Sequence, residues 1–215
     1  QLAEAFGEAA VLGAVGMLGG AVQADGAANY AMANPIILGE LSGEMSPRVD
    51  EIIKTLKSAK LPAAVSDNIL SEEWSKFVGW LGISALAVLT RAETWKFLAN
   101  ADTARIAARV MRETAQLPRH LGIPLKAGPP FDLDAVTSLG EDEVVALLNA
   151  RGQAQGKTAP NFRQSMLQDV DKGKQFEVEE TFGYTVREAE KLGLSVPTVE
   201  TCYRVLAGLN RIQKV

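Results

Sequence analysis

The stretch Ser71 to Leu89, SEEWSKFVGWLGISALAVL, decides how the rest of the chain is read. Ser71 offers an N-cap, and Glu72 and Glu73 place negative charge at the positive end of a helix dipole. Trp74, Phe77, Val78, Leu81 and Leu86 follow along that helix. From Phe77 to Leu89 the only polar side chain is Ser84. The run falls short of the roughly 20 residues needed to cross a bilayer, so it predicts a buried core helix.

Helical patterning continues downstream. Ile106, Val110, Met111 and Leu117 recur through Thr103 to Leu121, with a kink expected at Pro118 and Gly122 placed as the residue that ends the helix. Glu141 to Leu148 predicts a short helix, and Ala154 to Pro160 a polar loop. Asn161 to Val170, Phe176 to Leu192 and Pro197 to Ile212 complete the helices, with Gly193 as a stop and Ser195 and Pro197 as the restart. Residues 69–215 therefore predict a helical domain.

Upstream the texture changes. Ala10 to Leu18 and Pro35 to Leu38 are short apolar runs bounded by Gly and Pro, which predicts two or three strands at a sheet edge. Gly19, Gly20, Asp25 and Gly26 read as turn residues; Gly19-Gly20 alternatively lets backbone approach a ligand. Ser46 and Pro47 start a helix striped by Val49, Ile52, Ile53 and Leu56. Leu61 to Val65 returns to extended chain, and Asp67-Asn68 turns. Residues 1–68 thus read as a small βαβ-flavoured region. Gln1 to Phe6 resembles the end of a helix, and the chain opens without Met, so a piece of a longer protein is expected.

Composition narrows the function. The chain has 215 residues, 22 Lys+Arg against 26 Asp+Glu, a net charge of −4 and 47% hydrophobic residues. Nucleic-acid binding has no electrostatic basis here, because it needs a concentrated basic surface. Disorder is excluded by the abundance of apolar residues. Cys202 is the single cysteine, so no disulfide framework or thiolate metal cluster can form within the chain. A reducing, cytoplasmic setting without membrane insertion is expected.

Lys76 is the most informative charge. It lies one turn into a helix whose next 13 residues are apolar but for Ser84. An apolar setting disfavours the ammonium and lowers its pKa towards working pH, as a general acid requires. The plainer alternative is a lysine that snorkels to water beside Glu72 or Glu73. A second constellation is Ser165-Met166-Leu167-Gln168-Asp169, then Lys172-Gly173-Lys174, then Glu177. Gly173 breaks the chain between them, and the hydroxyl and carboxylate can face one cleft. The alternative is an ordinary helical serine and a first-turn glutamate. His120 lacks partners at ligand spacing, and Cys202 reads as a small core residue.

Taken together, Trp74-x-Lys76-Phe77, Ser165-Met-Leu-Gln-Asp169, Gly173-Lys174-x-x-Glu177, Gly183 and Gly193-Leu-Ser-Val-Pro197 resemble the ketopantoate reductase family, as do Ile37-Leu38-Gly39-Glu40. The resemblance implies a mainly α fold: an all-helical C-terminal domain like that of 6-phosphogluconate dehydrogenase, preceded by edge strands and one helix left from a dinucleotide-binding domain of Rossmann type. It implies NADPH-dependent reduction of a 2-oxo acid to a 2-hydroxy acid. By position, Lys76 matches the catalytic lysine, Ser165 a substrate-contacting serine and Glu177 a glutamate near the cofactor. Gly20 falls where backbone approaches the nucleotide. Trp80 and Ser84 stand where the family carries substrate-holding Asn residues, so a bulkier or more apolar 2-oxo acid is expected. Gly13, Gly16 and Gly19 do not make the G-x-G-x-x-G phosphate fingerprint, so this chain alone is expected to bind NADP poorly. A homodimer is expected from the apolar helices. A helical interaction or dimerisation module that has lost catalysis is the alternative reading.

Overall fold

The computed structural model describes residues 2–22, 25–128 and 130–212. Gln1 and Pro129 lie outside the described residues. Helix predominates, and the few strands all fall in the first third of the chain, in agreement with the predicted fold class. The chain divides into two compact units, residues 1–76 and 77–215, with the division inside one helix.

The first unit opens with α1 (Leu2–Phe6) and a turn of 3-10 helix, followed by β1 (Leu12–Val22) and β2 (Ala28–Glu40). These strands pair antiparallel, and β3 (Ala63–Val65) joins β2 in parallel. A parallel pair needs a crossover, and α2 (Pro47–Ser58) supplies it. Gly19 and Gly20 do not form the predicted turn. They lie within β1 at a shift in its pairing register, and the chain reverses at Asp25-Gly26, where Gly26 has φ +84°. Small residues tolerate such a bulge, so a glycine pair does not by itself mark a reversal.

Ser46 caps α2 as predicted: its Oγ accepts from the Val49 N–H at 3.4 Å. The same hydroxyl donates to Glu40 at 2.5 Å, and Arg48 clasps both oxygens of that carboxylate. These bonds, Arg48 first and Ser46 second, hold the Glu40 carboxyl down at about 2. Val49 and Ile53 fill a small core with Leu38 and Ala63. Two strand glycines answer to packing. A Cβ at Gly13 would lie 2.5 Å from Ile69 Cγ1, and one at Gly39 would lie 2.6 Å from the Ser66 carbonyl oxygen.

Helix α3 runs Ile69–Thr90, starting two residues before the predicted Ser71 cap. Asn68 takes the capping role, its Oδ1 accepting from the Ser71 N–H at 3.1 Å. In the second unit the apolar run is buried as predicted: Val78, Leu81, Ala85 and Ala87 are completely enclosed. Among the described residues, no helix is long and apolar enough to cross a membrane. Gly82 lets α3 cross α5 (Ala101–His120) closely, since a Cβ there would meet Met111 Cγ at 2.4 Å. Ala104, Ala107 and Ala108 give α5 a similarly thin face in the core. Asn100 caps α5, Pro118 sits in its last turn, and Gly122 follows with φ +70° as predicted.

Two short helices, α4 (Thr94–Leu98) and α6 (Leu133–Ser138), carry too few turns for periodicity to reveal them. The predicted loop Ala154 to Pro160 is instead helical as far as Thr158, because α7 spans Glu141–Thr158. Gly152 and Gly156 on this helix are there for contact. A Cβ at Gly152 would lie 2.6 Å from the Ala99 N, and Trp95 covers Gly156. Helix α8 is Ser165–Asp171, and a π-helical turn (Glu179–Gly183) leads into α9 (Tyr184–Lys191). The wide turn is closed by the Gly183 N–H donating five residues back to the Val178 carbonyl at 2.9 Å. Gly193 ends α9 with φ +66°, and α10 covers Pro197–Ile212. The Glu113 carboxylate caps α10, accepting from the Thr198 and Val199 N–H groups at 3.1 and 2.8 Å.

Candidate active site

Lys76, Trp80 and Ser84 recur every four residues on α3, a spacing that stacks side chains on one helix face. Lys76 is exposed as a residue, yet its ammonium reaches back to β1 and donates to the Gly16 carbonyl oxygen at 2.8 Å. Partial burial of the ammonium lowers its pKa from the ordinary lysine value. One of its three N–H donors is used on Gly16, leaving two. Trp80 is half-buried. Ser84 is fully buried, and its hydroxyl donates to the Trp80 carbonyl at 2.7 Å. With its proton committed inside the helix, Ser84 has only lone pairs to offer.

A residue that the sequence offered only as a helix-dipole partner and a surface neighbour of Lys76 stands one turn before it. Glu73 is half-buried, and its Oε1 accepts from the Ala14 N–H at 3.1 Å. Burial raises its pKa, partly opposed by that bond. Its spacing of three from Lys76 was the available signal, since residues three apart share a helix face.

Ser165 opens α8 and is exposed. Its placement comes from α4. Buried Gln164 donates to the Thr94 Oγ1 at 3.0 Å, the Thr94 N–H donates to the Phe162 carbonyl at 3.2 Å, and Trp95 Nε1 donates to the Pro160 carbonyl at 2.9 Å. Glu177 departs from the expected helix start. It is exposed in non-helical chain, with Phe176 and Val178 buried on either side of it. The Asn210 side chain pairs with the backbone of Phe176 in both directions, at 3.4 and 3.2 Å, and the Val178 N–H donates to the Phe176 carbonyl at 2.8 Å, so the chain turns tightly about Glu177. Among the described residues no hydrogen bond joins Ser165 to Glu177. Gly173, with φ +65°, ends α8 between them as predicted.

Gly20 is exposed in β1, opposite Tyr30. A dinucleotide phosphate needs backbone N–H groups gathered at the start of a helix that follows a glycine-rich turn. Among the described residues, the α2 approach carries only Gly43, and the α3 approach (Ser66-Asp67-Asn68) carries no glycine. The residues present do not fit that group.

Burial pushes the Cys202 thiol up to about 11, consistent with a core residue, and His120 is exposed at the end of α5. No cluster of potential metal ligands occurs among the described residues. A cleft of about 270 Å³ beside Arg112, Glu113, Gln116 and Arg119 holds none of the residues predicted for the site. Three of its polar side chains are engaged in structure: Arg112 on the Val136 and Leu139 carbonyls, Glu113 on α10 and Gln116 on the Ser195 carbonyl.

Comparison with known proteins agrees with this architecture. Residues 68–210 match the family described as Ketopantoate reductase PanE/ApbA C terminal. A curated 2-dehydropantoate 2-reductase from Mesorhizobium japonicum is 26% identical over 207 residues, covering 96% of this chain but 56% of the relative. The solved 2-dehydropantoate 2-reductase from Methylococcus capsulatus superposes with TM-score 0.77 at 22% identity, over 100% of this chain and 67% of that one. D-mandelate dehydrogenase, solved with NADH and anilino(oxo)acetate, gives TM-score 0.75 at 17% identity, over 94% of this chain and 61% of that one.

Proposed function

Because the chain belongs to the ketopantoate reductase family through residues 68–210, we propose that it is the substrate-side portion of an enzyme that reduces a 2-oxo acid to a 2-hydroxy acid. Residues 1–68 are read as the tail of the dinucleotide-binding domain and 69–215 as the helical domain. The hydride donor in this proposal is a nicotinamide coenzyme, NADP by family resemblance, whose phosphates would be held outside the described residues. The contribution of this chain is the proton. As negative charge develops on the substrate oxygen, the Lys76 ammonium stabilises it, then transfers an N–H proton to form the hydroxyl and is left as a neutral amine.

The observation that carries the reading is the Lys76 ammonium itself, partly buried and anchored by one donor on Gly16 with two left over. Burial makes it a stronger acid than a lysine in water. Ser165 and Glu177 are proposed to contact substrate and cofactor, and Gly20 the nucleotide. Trp80 supports a substrate with a bulky apolar group in place of one held by amides. The D-mandelate dehydrogenase likeness is in keeping with this, since anilino(oxo)acetate is a 2-oxo acid carrying an aryl group. A cytoplasmic homodimer completes the proposal; exposed Val205 and Ile212 on α10 support a self-association surface.

The test uses the full-length polypeptide with NADPH and NADH against a panel of 2-oxo acids with aliphatic and aryl side chains. Lys76→Ala is expected to lower kcat about 10²–10⁴-fold, the range for a general acid. A folded Lys76→Ala protein with near-normal kcat would refute the assignment. Inactivity of the wild-type enzyme on the whole panel would favour a non-catalytic helical module.

A further inference from the structure

Ala14 and Gly16 are two apart on β1, and residues two apart in an antiparallel strand present their backbone groups to the same edge. Glu73 and Lys76 are three apart on α3 and meet that edge together. Glu73 accepts from the Ala14 N–H, and the Lys76 ammonium donates a hydrogen bond to the Gly16 carbonyl. The close fit of Gly13 under this helix leaves the strand little room to slide. A Cβ added at Gly13 would touch Ile69 at 2.5 Å and Glu73 Oε1 at 3.0 Å. The carbonyl that orients the ammonium is therefore itself located by the carboxylate one helical turn away.

We propose that Glu73 is a positioning residue for Lys76: by holding the Ala14 N–H it sets the register of β1 against α3, and so fixes the Gly16 oxygen that aims the ammonium. The inference rests on the reading of Lys76 as the proton donor. It assigns Glu73 no contact with substrate and no proton in the reaction. What Glu73 supplies is an acceptor atom at the end of a side chain of the right length. Charge is secondary, and a neutral acceptor of equal reach serves as well.

Three variants of the full-length enzyme separate these ideas. Glu73→Ala removes the acceptor, Glu73→Asp keeps the charge but withdraws it by one methylene, and Glu73→Gln keeps reach and acceptor without charge. Glu73→Ala and Glu73→Asp are expected to lose about 10–100-fold in kcat, the scale for misplacing a reacting group by about an ångström. KM should move much less, and the solvent deuterium isotope effect on kcat should rise as proton delivery becomes limiting. Glu73→Gln should recover most of the lost kcat. If Glu73→Ala does not fold, the comparison of Asp with Gln carries the test. Equal kcat in those two, or a better rate for Asp, overturns the proposal, as does a folded Glu73→Ala with the wild-type rate and isotope effect. Lys76→Ala keeps the two levels distinct. An active Lys76→Ala removes the underlying function; an inactive one beside a fully active Glu73→Ala removes only the role of Glu73.

Discussion

Replacing Gly152 by Ala probes the contact that seats α4 against α7. The new methyl carbon would lie 2.6 Å from the Ala99 N, 2.8 Å from the Leu98 carbonyl carbon and 2.9 Å from Leu98 Cβ. Two of these are backbone atoms, which cannot rotate aside, so the helices must separate. Overpacking of this kind costs about 1–3 kcal/mol. Alanine returns about 1 kcal/mol of helix propensity over glycine, so a clash with backbone at the upper end of that range, about 2–3 kcal/mol, leaves a net loss of about 1–2 kcal/mol. Gly208→Ala on α10 is the matched control, because nothing lies within 4 Å of its would-be Cβ. That variant should gain about 0.8–1 kcal/mol from propensity alone. Urea unfolding followed by far-UV circular dichroism measures both, with midpoints moving in opposite directions at unchanged slope. Equal or greater stability for Gly152→Ala would refute the argument. The consequence reaches the site, since α4 holds the segment that delivers Ser165.

Two further outcomes are expected. Glu113→Ala removes the carboxylate that caps α10 and should cost about 1–2 kcal/mol in the same assay, with Glu113→Gln intermediate; no change would show the cap to be dispensable. Folded Glu40 titrates at about 2, whereas an unfolded glutamate takes up its proton near about 4.3. Its stabilisation is therefore present above the unfolded value and disappears as pH falls from there through 2. The thermal stability gap between wild type and Glu40→Gln should close across that window, and a gap constant down to pH 2 would show that the clasp by Arg48 and Ser46 contributes nothing.

The long elements were legible because their physics is local and repeated. Helix α3 declares itself by an apolar run interrupted only at Ser84, and α5 by its period and the glycine after it. The stops at Gly173 and Gly193 follow from positive φ, which L side chains resist. What the pattern missed depends on neighbours remote in sequence. Gly156 looks like a loop residue until Trp95 is seen against it. Gly19-Gly20 looks like a turn until the register of β1 and β2 is known. Glu177 reads as first-turn helix within Phe176 to Leu192, yet the Asn210 amide, 33 residues on, takes the backbone of Phe176 and the chain there is not helical. Lys76, Ser165 and Glu177 were put forward as site residues by motif order. Glu73 belongs to no motif, and its role appears only once β1 lies beside it.

The wide turn at Glu179–Gly183 is the place where the chain has one residue more than an α-helix would hold. Excising that surplus residue would straighten the helix and swing everything ahead of it by about 100°, one residue of helical rotation. Phe176 and Val178 would leave their sockets and Glu177 would face another quarter. A one-codon deletion here is therefore a conformational edit, because the extra residue sets the heading of the segment before it.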